Sequence, residues 1–354
     1  MFWLYTPDLV RVGLIEGYNS MVWHRHYYEP GQFQMTIPFC DLCKLMTAEM
    51  LIVKGDEAGI IENIRITQNQ KGENVFVCSG RFLLSYLDRR ILAGVNSFEG
   101  TPENCLRYLV NKNAVTERAI QHLSVAASMG YSGAITLVSK KENLLEAIRL
   151  IAEEHGLGQK IEFSTEGIRY RVYAGLDRTV DQSVNPRAIF SRAFENVLQQ
   201  SYDVSMKPVK NVTYVEATYT ANEKEYPLAR TVGTATGRDR REVYFSAGSL
   251  TSNDQGQALS MAQRNAAMDD RGREQMVAPS EAFTADVDEC GNLQYKVDYD
   301  LGDIVTVESR EMGMRTNLRI TEIKEVYEHR MKLELVVGKG LPSFAKTVRW
   351  LKNG

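Results

Sequence analysis

Trp23-His24-Arg25-His26-Tyr27-Tyr28-Glu29-Pro30-Gly31-Gln32-Phe33-Gln34-Met35-Thr36-Ile37-Pro38 is the stretch whose reading decides the fold. Glu29-Pro30-Gly31 reads as a tight turn between two strands. After it, Phe33, Met35 and Ile37 alternate with Gln32, Gln34 and Thr36, so one face is apolar and the other wet. Two further stretches extend this β reading. Gly80-Arg81 ends a strand, and Leu83, Leu84, Leu87 and Arg90 follow at helical spacing. Tyr299 to Glu308 is a turn feeding a strand, followed by a β-rich run from Leu318 to Tyr327.

Working outward, residues 1–92 read as a first antiparallel β-barrel or sandwich. Its strands are expected over 2–5, 12–16, 21–27, 32–37, 50–54, 59–67 and 75–80, with Asn69-Gln70-Lys71-Gly72 as a hairpin turn. Residues 99–190 read as a small α+β module. Thr101 caps a helix with Pro102 at its first position, and a second helix from Asn143 to His155 ends at Gly156. A hairpin then covers 160–163 and 168–173. Residues 203–338 read as a second β-barrel, with strands over 209–219, 242–245, 283–287, 304–308, 318–327 and 331–337. A helical insertion at about 249–276 interrupts it, the helix itself from about 254. Residues 339–354 form a C-terminal tail with a short segment from Phe344 to Leu351. The fold class is therefore mainly β with α+β insertions.

The 354 residues are 44% hydrophobic and 25% charged, as in soluble globular chains of two to four domains. Lys plus Arg is 42 against 45 Asp plus Glu, a formal charge of −3, which disfavours a sequence-specific nucleic-acid partner. Met1 to Tyr5 is apolar but is followed at once by Pro7 and Asp8, so it reads as a strand rather than a leader. No apolar run approaches the roughly 20 residues of a membrane helix, so no membrane anchor is expected. Five scattered cysteines (Cys40, Cys43, Cys78, Cys105, Cys290) fit free thiols in a reducing cytoplasm.

No residue pattern compels a chemical step. Cys40-Asp41-Leu42-Cys43 has metal or redox spacing without a second pair, so it reads as two partly buried thiols. His24 and His26 share a strand face, and the other histidines (His122, His155, His329) lie on separate elements, so polar rungs are the expectation. Gly156-Leu157-Gly158 follows a helix and lacks a third glycine, which argues against a dinucleotide site. Gly130-Tyr131-Ser132-Gly133 is not a nucleophile elbow. Glu153-Glu154 and Asp269-Asp270 read as solvated faces, and Arg238 to Glu242 as salt-bridged loop. Trp23, Tyr27, Tyr28 and Phe33 fit core pairing better than a sugar platform. The expectation is no catalytic, metal or cofactor-binding residue, and the subunit and ring interfaces are unassigned.

Several motifs, in order and spacing from about Val12 to Val337, resemble the tail-hub (baseplate hub) family of phages and prophages of Gram-positive bacteria, relatives of the hub of contractile tails. The first is Trp-x-Arg-x-Tyr, then Gly-x-Phe and Pro, at Trp23, Arg25, Tyr27, Gly31, Phe33 and Pro38. Gly80, Arg81 and Leu83 match the closing pattern, with Arg89-Arg90 behind. Tyr173, Gly175, Asp177, Arg178 and Thr179 match the middle stretch, continued by Asn185-Pro186, Phe190-Ser191 and Asn196. Arg240-Arg241-Glu242, Asp300 to Asp303 and Ile320 to Ile323 complete the set.

The resemblance implies two related barrels per chain and a homotrimer that adapts a sixfold tail ring to a threefold tip. It implies a structural protein at the virion tail tip, assembled in the host bacterial cytoplasm, that closes the distal end of the tail tube. Its partners would be a hexameric distal tail ring protein, the tape-measure protein and a downstream fibre or spike, with DNA passing through the ring. Relatives that continue into a fibre or wall-degrading domain suggest that such activity resides in another polypeptide. Alternatives are a phage-associated cell-wall hydrolase and a carbohydrate-binding module. Both barrels are expected to face the ring, with 99–190 and the insertion outside that contact.

Overall fold

The computed structural model describes residues 1–68, 72–94, 96–138, 141–252, 256–287, 291–311 and 313–338. Strand accounts for 47% and helix for 18%, so the class is mainly β, as expected. The expected turn at 69–71, Cys290 and the tail 339–354 lie outside the described residues.

Alternation builds the N-terminal sheets. The strands are β1 (Phe2–Tyr5), β2 (Arg11–Ile15), β3 (Ser20–His26), β4 (Gln32–Pro38), β5 (Leu51–Lys54), β6 (Glu57–Ile60), β7 (Asn63–Gln68) and β8 (Asn74–Arg81), with a short helix α1 (Asp41–Leu45) between β4 and β5. In β4, Phe33, Met35 and Ile37 are buried while Gln32 and Gln34 are exposed. The strand expected over 59–67 is two strands. β6 closes the sheet β2-β1-β5-β6, and after a break at Ile61-Glu62 β7 joins β8 in the other sheet. Phe2, Leu4, Trp23, Met35, Ile52 and Phe76 pack between the two layers. The turn after β3 needs Gly31, because a Cβ there would stand 2.6 Å from the His24 carbonyl oxygen. The segment after β8 is a 3-10 helix, Leu83–Arg89, that buries Leu83, Leu84 and Leu87.

In the middle of the chain come β9 (Ser97–Gly100), α2 (Pro102–Val110), β10 (Leu123–Val125), β11 (Ile135–Val138), α3 (Leu144–Glu154), β12 (Gly158–Ser164) and β13 (Gly167–Tyr173). Thr101 accepts from the Asn104 amide at 3.3 Å, as the expected cap, and Asn143 caps the second helix by accepting from the Glu146 amide at 3.1 Å. Each such cap contributes about 1 kcal/mol. Cys105, Leu106 and Leu109 of α2 meet Leu144, Ile148 and Ile151 of α3 over the β12–β13 hairpin. Gly156, at φ +65°, turns the chain out of α3.

The rest comprises β14 (Ile189–Phe190), β15 (Val197–Ser205), β16 (Val212–Ala221), β17 (Lys224–Val232), β18 (Glu242–Ser249), α4 (Met261–Glu274), β19 (Ser280–Val287), β20 (Ile304–Ser309), β21 (Met314–Tyr327) and β22 (Met331–Gly338). A ten-stranded sheet runs β15-β19-β22-β21-β3-β4-β8-β7, with β20 on β21 and β14 on β20. Four strands from the N-terminal part of the chain and six from the C-terminal part thus meet at the antiparallel β21–β3 ladder. Among the described residues the strands of neither expected barrel close a ring: β2-β1-β5-β6 does not pair with β3-β4-β8-β7, and β14 does not pair with β15, so barrel closure by hydrogen bonding, part of the expectation, is not seen. β21 bends at a bulge between Ile320 and Glu322, which lets one strand serve β20 before the bulge and β22 and β3 after it.

The helix expected from about 254 is α4, opened by a Ser260/Gln263 capping box. It does not stand alone. It covers the sheet β17-β16-β18, with Met268 meeting Val215, Ala217 and Val232. β15 and β19 pair down to Ser205↔Ser280, so the natural excision points are those two residues. Replacing 206–279 by a short turn should leave a folded protein. Removing α4 alone uncovers an apolar sheet face and should give aggregation, which light scattering of the two purified variants would compare.

Candidate functional site

Several motif residues scattered through the sequence meet at two adjoining buried clusters. Period two on β3 turns Trp23 and Arg25 to the inside, with Tyr27 just beyond the strand end. Arg25 donates through Nε to Glu57 Oε1 at 2.5 Å, and through Nη1 to Asp300 Oδ1 at 2.6 Å and the Tyr295 hydroxyl at 2.8 Å. Trp23 Nε1 donates to the other Glu57 oxygen at 2.8 Å. The Tyr295 hydroxyl in turn donates a hydrogen bond to Glu325 Oε1 at 2.8 Å, and Lys54 and Tyr327 both donate to Oε2 of that fully buried carboxylate. The network thus ties β3, β5, β6, β21 and the turn before β20 together.

Electrostatics follow from burial and pairing. Burial alone would lower the Arg25 guanidinium, but the charges of Glu57, Tyr295 and Asp300 hold it well above its ordinary value. Burial pushes the Glu325 carboxyl up, but Lys54 and the two tyrosine hydroxyls outweigh it, and the group ends below the usual range. Glu103 in α2 behaves likewise. Its buried carboxylate accepts from the amides of Met129, Gly130 and Tyr131 and from Ser128 Oγ, which offsets the penalty of burial and lowers it. A carboxylate depressed in the folded state contributes stability above its unfolded value, lost as pH falls through the folded one. The urea midpoint should therefore hold from pH 7 to about 5 and fall below about pH 4.3. In Glu103→Gln that acid slope should be shallower.

A second cluster surrounds Tyr27. Its hydroxyl donates toward the Gly156 and Tyr173 carbonyls at 3.2 and 3.3 Å and accepts from the Gly175 amide and Arg319 Nη1 at 3.4 Å. Arg319 also lies over the ring, 5.1 Å from its centre. Next to it the middle motif docks on the Asp300–Asp303 turn. Arg178 Nε pairs with Asp303 Oδ2 at 2.8 Å, and the Leu176 amide donates to Asp303 Oδ1 at 2.7 Å. Gly302, at φ +96°, leaves no room for a Cβ beside Tyr27, and a Cβ on Gly175 would stand 2.0 Å from the Gly302 carbonyl. Asn196 closes the stretch by accepting from the Ser191 amide at 2.9 Å and donating to the Ile189 carbonyl at 2.9 Å. These charged and polar groups hold three distant chain segments in register, and each is engaged in doing so.

Other sequence-marked residues lie elsewhere. Arg240 pairs with Glu242 at 2.6 Å in the three-stranded unit. Arg81 makes a fork to Glu62 and a contact to Asp88 at 2.9 Å, but its side chain is 42% exposed. Arg81→Ala should therefore cost no more than about 1 kcal/mol in thermal unfolding, well short of what a buried guanidinium would lose. Trp23, Tyr27 and Phe33 are buried in the core and Tyr28 is half-buried. Cys40 and Cys43 stand 3.6 Å apart at α1, and burial pushes the Cys43 thiol up, away from the reactive thiolate. On the opposite face of β3, His24 and His26 come together with Glu322 of β21. Glu57, Lys54, Tyr295 and Glu325 carried no signal in the sequence, because, Tyr327 beside Glu325 apart, their partners lie 30 to 271 positions away.

Among the described residues, no helix is long and apolar enough to cross a membrane. No curated protein sequence matches this one. Solved structures do. The tail protein from Neisseria meningitidis MC58 is similar over 96% of both chains, at 14% identity and a TM-score of 0.57. Prophage tail protein gp18 from Listeria monocytogenes EGD-e is similar over 99% of both chains, at 11% identity and a TM-score of 0.53. The 43 kDa tail protein of prophage MuSo2 from Shewanella oneidensis covers 95% of this chain and 97% of its own, at 13% identity and a TM-score of 0.52. At such identities the likeness is one of fold. The sequence itself matches the model of the Siphovirus ReqiPepy6 Gp37-like protein across residues 1–339, and the chain belongs to that family.

Proposed function

We propose that this protein is the structural hub of a phage or prophage tail, closing the distal end of the tail tube. The observation that carries the reading is full-length: the family spans 1–339, and the whole fold is shared with three tail proteins rather than with one inserted domain. In this reading three copies form a ring at the virion tail tip, assembled in the host cytoplasm. Each copy offers the ring above two strand-rich halves, 1–92 and 203–338. The meeting of strands from both ends of the chain at the β21–β3 ladder, four on one side and six on the other, supports two strand-rich halves. Six halves around one axis suit a hexameric distal tail ring, while single-copy parts such as 99–190 and the β16–β18 and α4 unit meet threefold partners. The tape-measure protein and a fibre or spike complete the set of partners.

The role is one of assembly, with no chemical step, and the use of the junction charges in holding backbone supports it. Deleting the gene should give tails with open or missing tips, and the wild-type chain supplied in trans should restore them. Cys43→Ala should restore them equally well. Tails that form normal tips without the chain would overturn the reading. A wall hydrolase would instead clear a peptidoglycan zymogram, and a carbohydrate-binding module would register on a glycan screen.

A further inference from the structure

The wet face of the β3–β21 ladder brings together side chains that neither strand advertises alone. In the antiparallel register His26 stands opposite Glu322, and His24 opposite Lys324. His24 Nε2 lies 2.9 Å from Glu322 Oε2, and His26 Nδ1 lies 3.8 Å from Oε1 of the same carboxylate. Glu29, on the connection to β4, places Oε1 3.6 Å from His26 Nδ1. One ligand atom from each of His24, His26 and Glu322 falls within 4.8 Å of the other two. In a tetrahedral zinc centre with bonds near 2.0–2.2 Å, neighbouring ligand atoms stand about 3.3 Å apart, so these separations bracket what the ion requires.

We propose that His24, His26 and Glu322 form a divalent transition-metal site, filled by zinc, with the Glu29 carboxylate, which stands outside that three-residue cluster but beside His26, swinging in as fourth ligand. The donor set sets the class of ion. Two imidazoles with carboxylates suit zinc, whereas calcium and magnesium take all-oxygen shells. The site is partly sheltered, with 16%, 12% and 29% of the His24, His26 and Glu322 side chains exposed. Two hydrogen-bonded strands hold three of the ligands, so little order is lost on binding. Gln32 sits 3.4 Å from His24 Nδ1. With its amide turned over, its oxygen accepts the Nδ1 proton and leaves Nε2 free for the metal. Lys324, opposite His24 in the ladder, is paired with Glu334 at 2.7 Å. Two carboxylates neutralise the ion, and the bound metal would staple the N-terminal half of the ten-stranded sheet to the C-terminal half. This inference is independent of the tail role.

The test uses the full chain with Cys40→Ser and Cys43→Ser in the background, stripped with EDTA and dialysed against zinc chloride. One zinc per chain is expected by elemental mass spectrometry. His26→Ala and Glu322→Gln should each weaken binding by at least about tenfold, while His329→Ala leaves it unchanged. Cobalt substituted into the otherwise wild-type chain should show weak d–d bands without the intense charge-transfer absorption of a thiolate ligand, a readout that survives if a variant fails to fold. No zinc retained, affinity unaltered by His26→Ala, or binding that needs Cys40 and Cys43 would each overturn the proposal.

Discussion

Arg25→Ala should cost about 3–5 kcal/mol of folding free energy, read as a shift of the urea midpoint at constant slope. The size follows from what is left behind. Glu57 and Asp300 lose the guanidinium that balances them, and Tyr295 loses its donor, all in a setting where Arg25 is only 9% exposed. Arg25→Lys keeps the charge but not the fork, so it should recover part of the loss and not all of it. Glu325→Ala should behave similarly, since it strands the Lys54 ammonium against Trp23 and Tyr327. Adding Lys54→Met to that variant should restore stability, because removing both charges is far milder than removing one. If Arg25→Ala shifted the midpoint no more than a surface substitution, the junction would not be what joins the two ends of the chain.

Gly175→Ala should be as severe, by about 3 kcal/mol or more, and should leave most of the protein insoluble. The new methyl would stand 2.0 Å from the Gly302 carbonyl carbon and oxygen and 2.4 Å from the Asp303 nitrogen. These are backbone atoms in a turn pinned by Arg178 and Arg319, so no rotamer change relieves the clash. Gly17→Ala is the control without a clash. Gly17, unlike Gly175, sits at positive φ (+69°), but nothing lies within 4 Å of its Cβ position, so only the backbone preference of about 1–2 kcal/mol is lost. Comparable soluble yields for the two variants would contradict the packing argument.

What could be read in advance divides along physical lines. β3, β4 and β22 were legible because each has one wet and one dry face, and α2 and α3 because a cap and an apolar stripe mark them. β15 and β17 were not. Val197–Ser205 and Lys224–Val232 are largely exposed and carry little alternation, and β17 is an edge strand that tolerates Pro227. α4 was visible, but the sheet it covers was assigned as ordinary barrel, since nothing local shows that Ser205 and Ser280 are neighbours. The motif residues Trp23, Arg25, Tyr27, Gly175, Arg178 and Asp303 were singled out in sequence, but only the fold shows that they converge. Likewise, alternation put His24 and His26 on one face, and only the ladder register supplies Glu322 as their neighbour.

The most direct test of the hub assignment is a reconstruction of the assembled tail tip by electron cryomicroscopy without imposed symmetry. The account predicts three copies of this chain in a ring, with the β21–β3 seam of each lying between two neighbouring subunits of the sixfold ring above. One copy or six copies around the axis, or a ring met only by the β16–β18 and α4 unit, would contradict it.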